Sequence, residues 1–198
     1  MKNRILIGLA ALAMVAFLSS CGKVPQAKID AVNAAIDSAK VLQADVYVPA
    51  ELAAVVDSMK AISAEVEVQN SKLFKKFGEV EVKLDQALAA VQKVQTDAVA
   101  KKEEVKKAVE TLLTDIKTVI AENAKLMVRA PRGKEGAAVL EQMKNEMTTV
   151  ETSVTDAQGM YDKGAYMDAF NKVTAAKETA DKINGELKDA IKKAGGKI

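Results

Sequence analysis

The side chains that could do chemistry in this chain are few. Across 198 residues there is no histidine, one cysteine and three tyrosines, set among 29 Lys plus Arg and 27 Asp plus Glu. Without imidazole the chain has no general base tuned to neutral pH, no Ser-His-Asp or Cys-His nucleophile system and no histidine metal ligand. Carboxylate pairs and lysines remain as candidate acids and bases. They are interleaved on polar helix faces, which is the pattern of a solvated surface. Asp156, Asp162 and Asp168 stand six residues apart around a turn. They lack the alternate acidic ligands, central glycine and closing glutamate of a calcium loop. No metal site, no cofactor and no enzymatic activity are therefore expected. Tyr47, Tyr161 and Tyr166 fall at expected turns, where a ring with a polar tip either plugs the end of a bundle or offers a contact. Together with Pro49 they form the candidate partner-contact turns.

Cys21 is the remaining reactive group, and its surroundings assign it another task. Lys2, Asn3 and Arg4 precede thirteen apolar residues, 5–17, a run too short to span about 30 Å of hydrocarbon as a stable helix. The run ends Leu18-Ser19-Ser20-Cys21-Gly22. This resembles the lipobox of bacterial lipoproteins, in which small residues precede a cysteine that receives diacylglycerol before cleavage. The resemblance implies lipidation at Cys21, which consumes the only thiol. Two or three acyl chains, at about 0.8 kcal/mol per buried CH₂, make such an anchor effectively permanent. Gly rather than Asp at position 22 resembles the sorting pattern for the outer membrane, with the protein facing the periplasm. In a Gram-positive cell the same signal implies the outer face of the plasma membrane.

Cleavage before Cys21 removes Lys2 and Arg4, so the 29 basic side chains lose two and come level with the 27 acidic ones. A clustered basic excess, the footprint of nucleic-acid binding, is absent, and no nucleic-acid partner is expected.

The elements that position these residues read as helices. Three prolines, abundant Ala, Lys, Glu, Val and Leu, and only 4% aromatic residues favour long helices over sheets. Ile29, Val32, Ile36 and Ala39 give a first amphipathic helix, expected to run to about Ala44 and to break over 45–48, because the residue before Pro49 is pushed out of the α region. Pro49 suits the first turn of a second helix, with the stripe Leu52, Val55, Met59, Ile62, Val66, Gln69 and Leu73, reaching the region of Phe74, Phe77 and Gly78. From Glu79 no Gly or Pro occurs until Pro131, an expected helix of about fifty residues and roughly 70 Å. Its seam is Leu84, Leu88 and Val91, then a polar interval over 92–107, then Val105, Val109, Leu112, Ile116, Val119, Asn123 and Leu126. Within the interval, Lys101-Lys102-Glu103-Glu104 reads as a solvated stretch with Glu103 placed to pair with Lys107. A docking patch is the sharper alternative. Residues 128–136 form a loop rich in Pro and Gly. Gly136, Leu140, Met143, Met147, Val150, Val154, Ala157 and Tyr161 then mark a fourth helix, Lys163-Gly164 a turn, and Tyr166, Ala169, Val173, Ala176, Ala180, Ile183, Leu187, Ala190 and Ala194 a fifth.

A shift of 84 residues lays 53–60 over 137–144 with five of eight positions identical, which suggests a duplicated helical unit. The string Ala44-Asp45-Val46-Tyr47-Val48-Pro49-Ala50-Glu51-Leu52 resembles the inter-helix turn of an Ala-rich helical-hairpin lipoprotein family of unknown function. Lys163-Gly164-Ala165-Tyr166-Met167-Asp168-Ala169 is similar to that family's second turn.

The expectation is thus an all-α, elongated antiparallel bundle of about five helices with a long central helix, built as two similar three-helix halves. A compact four- or five-helix bundle is the alternative. Its expected parts are a signal peptide (1–20), a lipidated anchor and short linker (21–26), helical units over 27–100 and 101–194, and a flexible tail (195–198). The functional expectation is a cell-envelope scaffold or adaptor held to the membrane through Cys21 and meeting an envelope protein partner. The alternative is a carrier of lipid or peptide.

Overall fold

The computed structural model describes residues 23–197. The expected signal peptide, the lipobox-like string and Cys21 lie outside the described residues. Within them the chain is all-α: α1 (Gln26–Val41), α2 (Ala44–Tyr47), α3 (Pro49–Asn70), α4 (Gly78–Arg129), α5 (Lys134–Asp162) and α6 (Tyr166–Lys193). The long central helix is α4, whose 52 residues span about 78 Å at 1.5 Å per residue.

The chain divides into two compact units, one of residues 23–37 and 53–92, the other of 38–52 and 93–197. In the first unit α3 and the start of α4 form a hairpin around the loop 71–77. Lys83 donates to Glu65 across it, two positions equally far from Phe74. Val55, Met59 and Ile62 of α3, Val32 and Ile36 of α1, and Val80, Leu84, Ala87 and Val91 of α4 are buried. Lys28 of α1 reaches Asp85 at 2.8 Å and Glu81 at 3.8 Å.

The second unit is an up-down-up bundle of the later part of α4 with α5 and α6. Glu110 meets Tyr161 and Asn123 meets Met147, so α4 and α5 are antiparallel. Lys172 and Asp156 bracket the next turn at 2.7 Å. Its core holds Val105, Val109, Leu113 and Ile116 of α4 against Val150, Val154 and Ala157 of α5 and Ala169, Val173, Ala176 and Ala180 of α6. A second cluster joins Leu126, Met143, Met147, Ile183, Leu187 and Ile191. Between them Asn123 is fully buried, donating to the Ala180 carbonyl at 2.8 Å and accepting from Asn184 at 2.8 Å. A buried amide satisfied on both ends fixes the register of three helices at little cost.

Several boundaries differ from the sequence reading. The first helix stops at Val41, short of Ala44, because Gln43 adopts a left-handed conformation (φ 62°) that ends it. Of the expected break over 45–48, residues 45–47 instead form one helical turn together with Ala44, and only Val48 (φ −142°, ψ 55°) obeys the exclusion before proline. That turn raises the helix count from about five to six among the described residues. The second helix stops at Asn70, leaving Leu73 and Phe74 outside it and 91% and 80% exposed. The interval 92–107 is not merely solvated, since Val94, Gln95, Ala98 and Val105 are buried within it. Lys101 there pairs with Glu104. In α4 Ala87 and Leu113 are buried where the stripe named Leu88 and Leu112, which are only partly covered, and at the end of α6 Ile191 replaces Ala190 and Ala194 in the core.

Candidate functional site: a tyrosine and lysine cluster

The second unit gathers the three tyrosines singled out from the sequence. Gly164, at φ +80°, lets the chain turn: its N–H donates to the Tyr161 carbonyl at 2.9 Å and the Ala165 N–H to the Met160 carbonyl at 3.0 Å. A left-handed residue is cheap only for glycine. The turn brings Tyr161, at the end of α5, and Tyr166, the first residue of α6, to 5.2 Å between ring centroids at 51°. Tilted rings at this separation attract through their quadrupoles.

Tyr47 enters the same cluster from α2. It is buried among Val105, Val109 and Ala169, with Tyr161 and Tyr166 packed on the cluster's edge. Its ring is thus core, and of the expected contact turns it is Pro49 that stands exposed. Burial pushes the Tyr47 phenol above its ordinary pKa, and the Met167 backbone amide acts against that shift by hydrogen-bonding the phenol oxygen. Met167 is the second residue of α6, whose N-cap Ala165 has no side-chain cap. Tyr47 therefore supplies a partner for one of the free N–H groups at that helix start.

From α4 come Lys102, Lys106 and Glu110, one helical turn apart on one face. The Lys102 ammonium lies 6.0 Å from the ring centroids of both Tyr47 and Tyr166, and that of Lys106 lies 5.8 Å from Tyr166. These are the outer limits of a cation–π contact. Lys102 also donates to the side-chain oxygen of Gln43 at 2.7 Å, which ties the left-handed residue ending α1 to α4. The Tyr161 hydroxyl donates to Glu110, and this bond, reinforced by the carboxylate charge, raises its pKa to about 12.

Chemically the arrangement is a fastening. Tyr161 stays protonated at neutral pH, and the hydroxyls of Tyr47 and Tyr161, with Lys102, already have partners inside the cluster. Sequence reasoning named the tyrosines and singled out the stretch containing Lys102, but missed Gln43, Lys106 and Glu110. The spacing of four between Lys102, Lys106 and Glu110 carried the signal. Nothing in Gln43 announced its backbone conformation.

Elsewhere, a groove of about 330 Å³ lies between α5 and α6, lined by Glu146, Thr149, Ser153, Lys172, Ala175 and Thr179 among others. Among the described residues no group of three or more Cys, Asp or Glu is placed to hold a metal ion, and no helix is long and apolar enough to cross a membrane. Compared with protein families, with curated proteins and with solved structures, the chain has no match.

Proposed function

We propose that the protein is a bacterial cell-envelope lipoprotein, held by acyl chains on Cys21, that serves as a non-enzymatic helical scaffold or adaptor on the periplasmic side of the outer membrane. The observation that carries this reading is the string Leu18-Ser19-Ser20-Cys21 directly after a basic start and a thirteen-residue apolar run. The likeness of the turns at 44–52 and 163–169 to an Ala-rich hairpin lipoprotein family agrees with it. So does a cluster in which Tyr47, Tyr161, Lys102 and Glu110 are engaged with one another or with nearby backbone, as suits a frame that presents helix faces.

The test has two parts. Cells fed an alkyne fatty acid incorporate it into the chain, and Cys21→Ser abolishes the label and releases the protein from membranes. An unlabelled chain retaining an intact residue 1–20 segment overturns the anchor. Photoreactive residues at exposed Val46 and Lys163 then report the partner in cells. One protein captured from one position supports the adaptor, whereas adducts with lipid or peptide alone replace it with the carrier reading.

A further inference from the structure

The loop 71–77 has a composition that neither the fold nor the tyrosine cluster uses. Leu73 and Phe74 are adjacent and 91% and 80% exposed, whereas the other large exposed apolar residues described are single valines. Lys72, Lys75 and Lys76 flank them, all exposed. No acidic residue occurs from 68 to 78. The base of the loop is fixed: Phe77 is buried and its carbonyl accepts the Glu81 N–H at 2.8 Å, Ser71 donates to the Val68 carbonyl at 2.8 Å, and Lys75 donates to Asn70 at 2.7 Å. Two bare apolar side chains are thus held at the tip of a hairpin inside a collar of ammonium groups.

The loop also lies at the end of its unit where the chain enters. Lys28, the third residue of α1, pairs with Glu81 and Asp85, in the first two turns of α4, and Glu65 near the end of α3 pairs with Lys83. The start of α1 therefore lies within about two helical turns, on the order of 10 Å, of the loop's level. Gln26, where α1 begins, follows Cys21 by only five positions.

We propose that Leu73 and Phe74 insert into the interfacial region of an anionic phospholipid surface, with Lys72, Lys75 and Lys76 on its phosphate groups, so that the first unit meets the membrane at a second point beside the anchor. This rests on the anchored reading for its geometry. Apolar tips ringed by lysine suit that boundary because the ring and methyls leave water while each ammonium stays at headgroup level.

The chain contains no tryptophan, so Phe74→Trp makes a single reporter. The full lipidated variant is placed in vesicles of phosphatidylcholine with phosphatidylglycerol, and Ala61→Trp, exposed and some three turns up α3, serves as the reference. Emission of the Phe74→Trp indole is expected to shift to the blue and to be quenched by brominated acyl chains, while the reference indole of Ala61→Trp stays wet. Changing Lys72, Lys75 and Lys76 together to Gln, or omitting phosphatidylglycerol, is expected to reverse most of that shift. Mass analysis of Cys21 decides the anchor separately. An acylated chain whose loop indole stays as wet as the reference overturns the loop contact and leaves the anchor standing. An unacylated chain added to the same vesicles is judged by the same emission. A loop indole already blue-shifted without vesicles, with doubled molar mass, overturns the proposal in favour of self-association.

Discussion

Two helical hairpins, one in each unit, share a plan and differ at their tips. Both are bracketed by a Lys–carboxylate pair equidistant from the turn, Lys83 with Glu65 in one and Lys172 with Asp156 in the other. Around Gly164 the aromatic residues fold back, so that Tyr161 and Tyr166 pack on each other and against the core that holds Tyr47. At the other tip Phe74 points away, and only Phe77 returns to the interior. Partly exposed ion pairs contribute about 0–1 kcal/mol and cannot account for that difference. What separates the tips is where apolar area goes. In the second unit it locks the turn, and in the first it is left on the outside beside lysine.

The sharpest way to break this comparison is to truncate one aromatic in each hairpin's surroundings. Tyr47→Ala removes a ring buried among Val105, Val109 and Ala169 and is expected to destabilise the second unit by about 3–5 kcal/mol, the range for large aromatic truncations in a core. Phe74→Ala should stay within about 0.5 kcal/mol, because its side chain is mostly in water already. Urea unfolding followed by circular dichroism measures both. Equal losses would mean that the loop at 71–77 packs in solution and that the two tips are alike.

Asn123→Ala comes next. It leaves the Asn184 amide without its acceptor in the middle of the second unit's core, at an expected cost of about 1–3 kcal/mol. Asn123→Leu separates stability from register: a restored midpoint with broadened amide spectra would show that the amide specifies the packing more than it strengthens it.

How far these elements were readable depended on the stripe that marked them. The steps of three and four along α5 and α6 forecast Met143, Met147, Val150, Val173, Ile183 and Leu187 as core, and Lys163-Gly164 announced the turn. Along α4 the same steps left a choice between Leu88 and Ala87 and between Leu112 and Leu113, since a broad apolar face does not reveal which of two neighbours points inward. Leu73 was read into the stripe of α3 because no Gly or Pro stops that helix, yet backbone pairing ends at Asn70. Gln43 was invisible, because left-handed glutamine is set by tertiary context and not by propensity. In the tyrosine cluster the rings were legible and their partners on α4 were not, since pairing across helices is not written in local spacing.

Glycine tests the turns directly. Gly164→Ala forces a β-carbon into the left-handed region and should cost roughly 1–2 kcal/mol. Gly78, which starts α4 just past the other loop, has a negative φ and open space around it, so Gly78→Ala should be neutral or gain a few tenths of a kcal/mol. Thermal melts of the two variants, compared with the parent, distinguish a turn that depends on glycine from one that does not.

Alkali gives the smallest and most selective effect. The Tyr161 phenol, bonded to Glu110, has its pKa raised to about 12, above the ordinary value of 10.0. A raised folded-state value means that the bond's contribution is fully present below pH 10 and is lost as pH climbs from 10 toward 12. The hairpin around Phe74 has no tyrosine and contributes nothing to this step. Phenolate absorbance should therefore show a late-titrating component whose amplitude Tyr161→Phe lowers by one phenolate. Glu110→Gln should shift it back toward 10, because the amide oxygen still accepts the hydroxyl proton but no longer carries the charge that opposes a phenolate. If Tyr161→Phe leaves the amplitude of the late component unchanged, that component belongs wholly to buried Tyr47, whose pKa is raised by desolvation, and the Glu110 bond is not what holds the second tip closed.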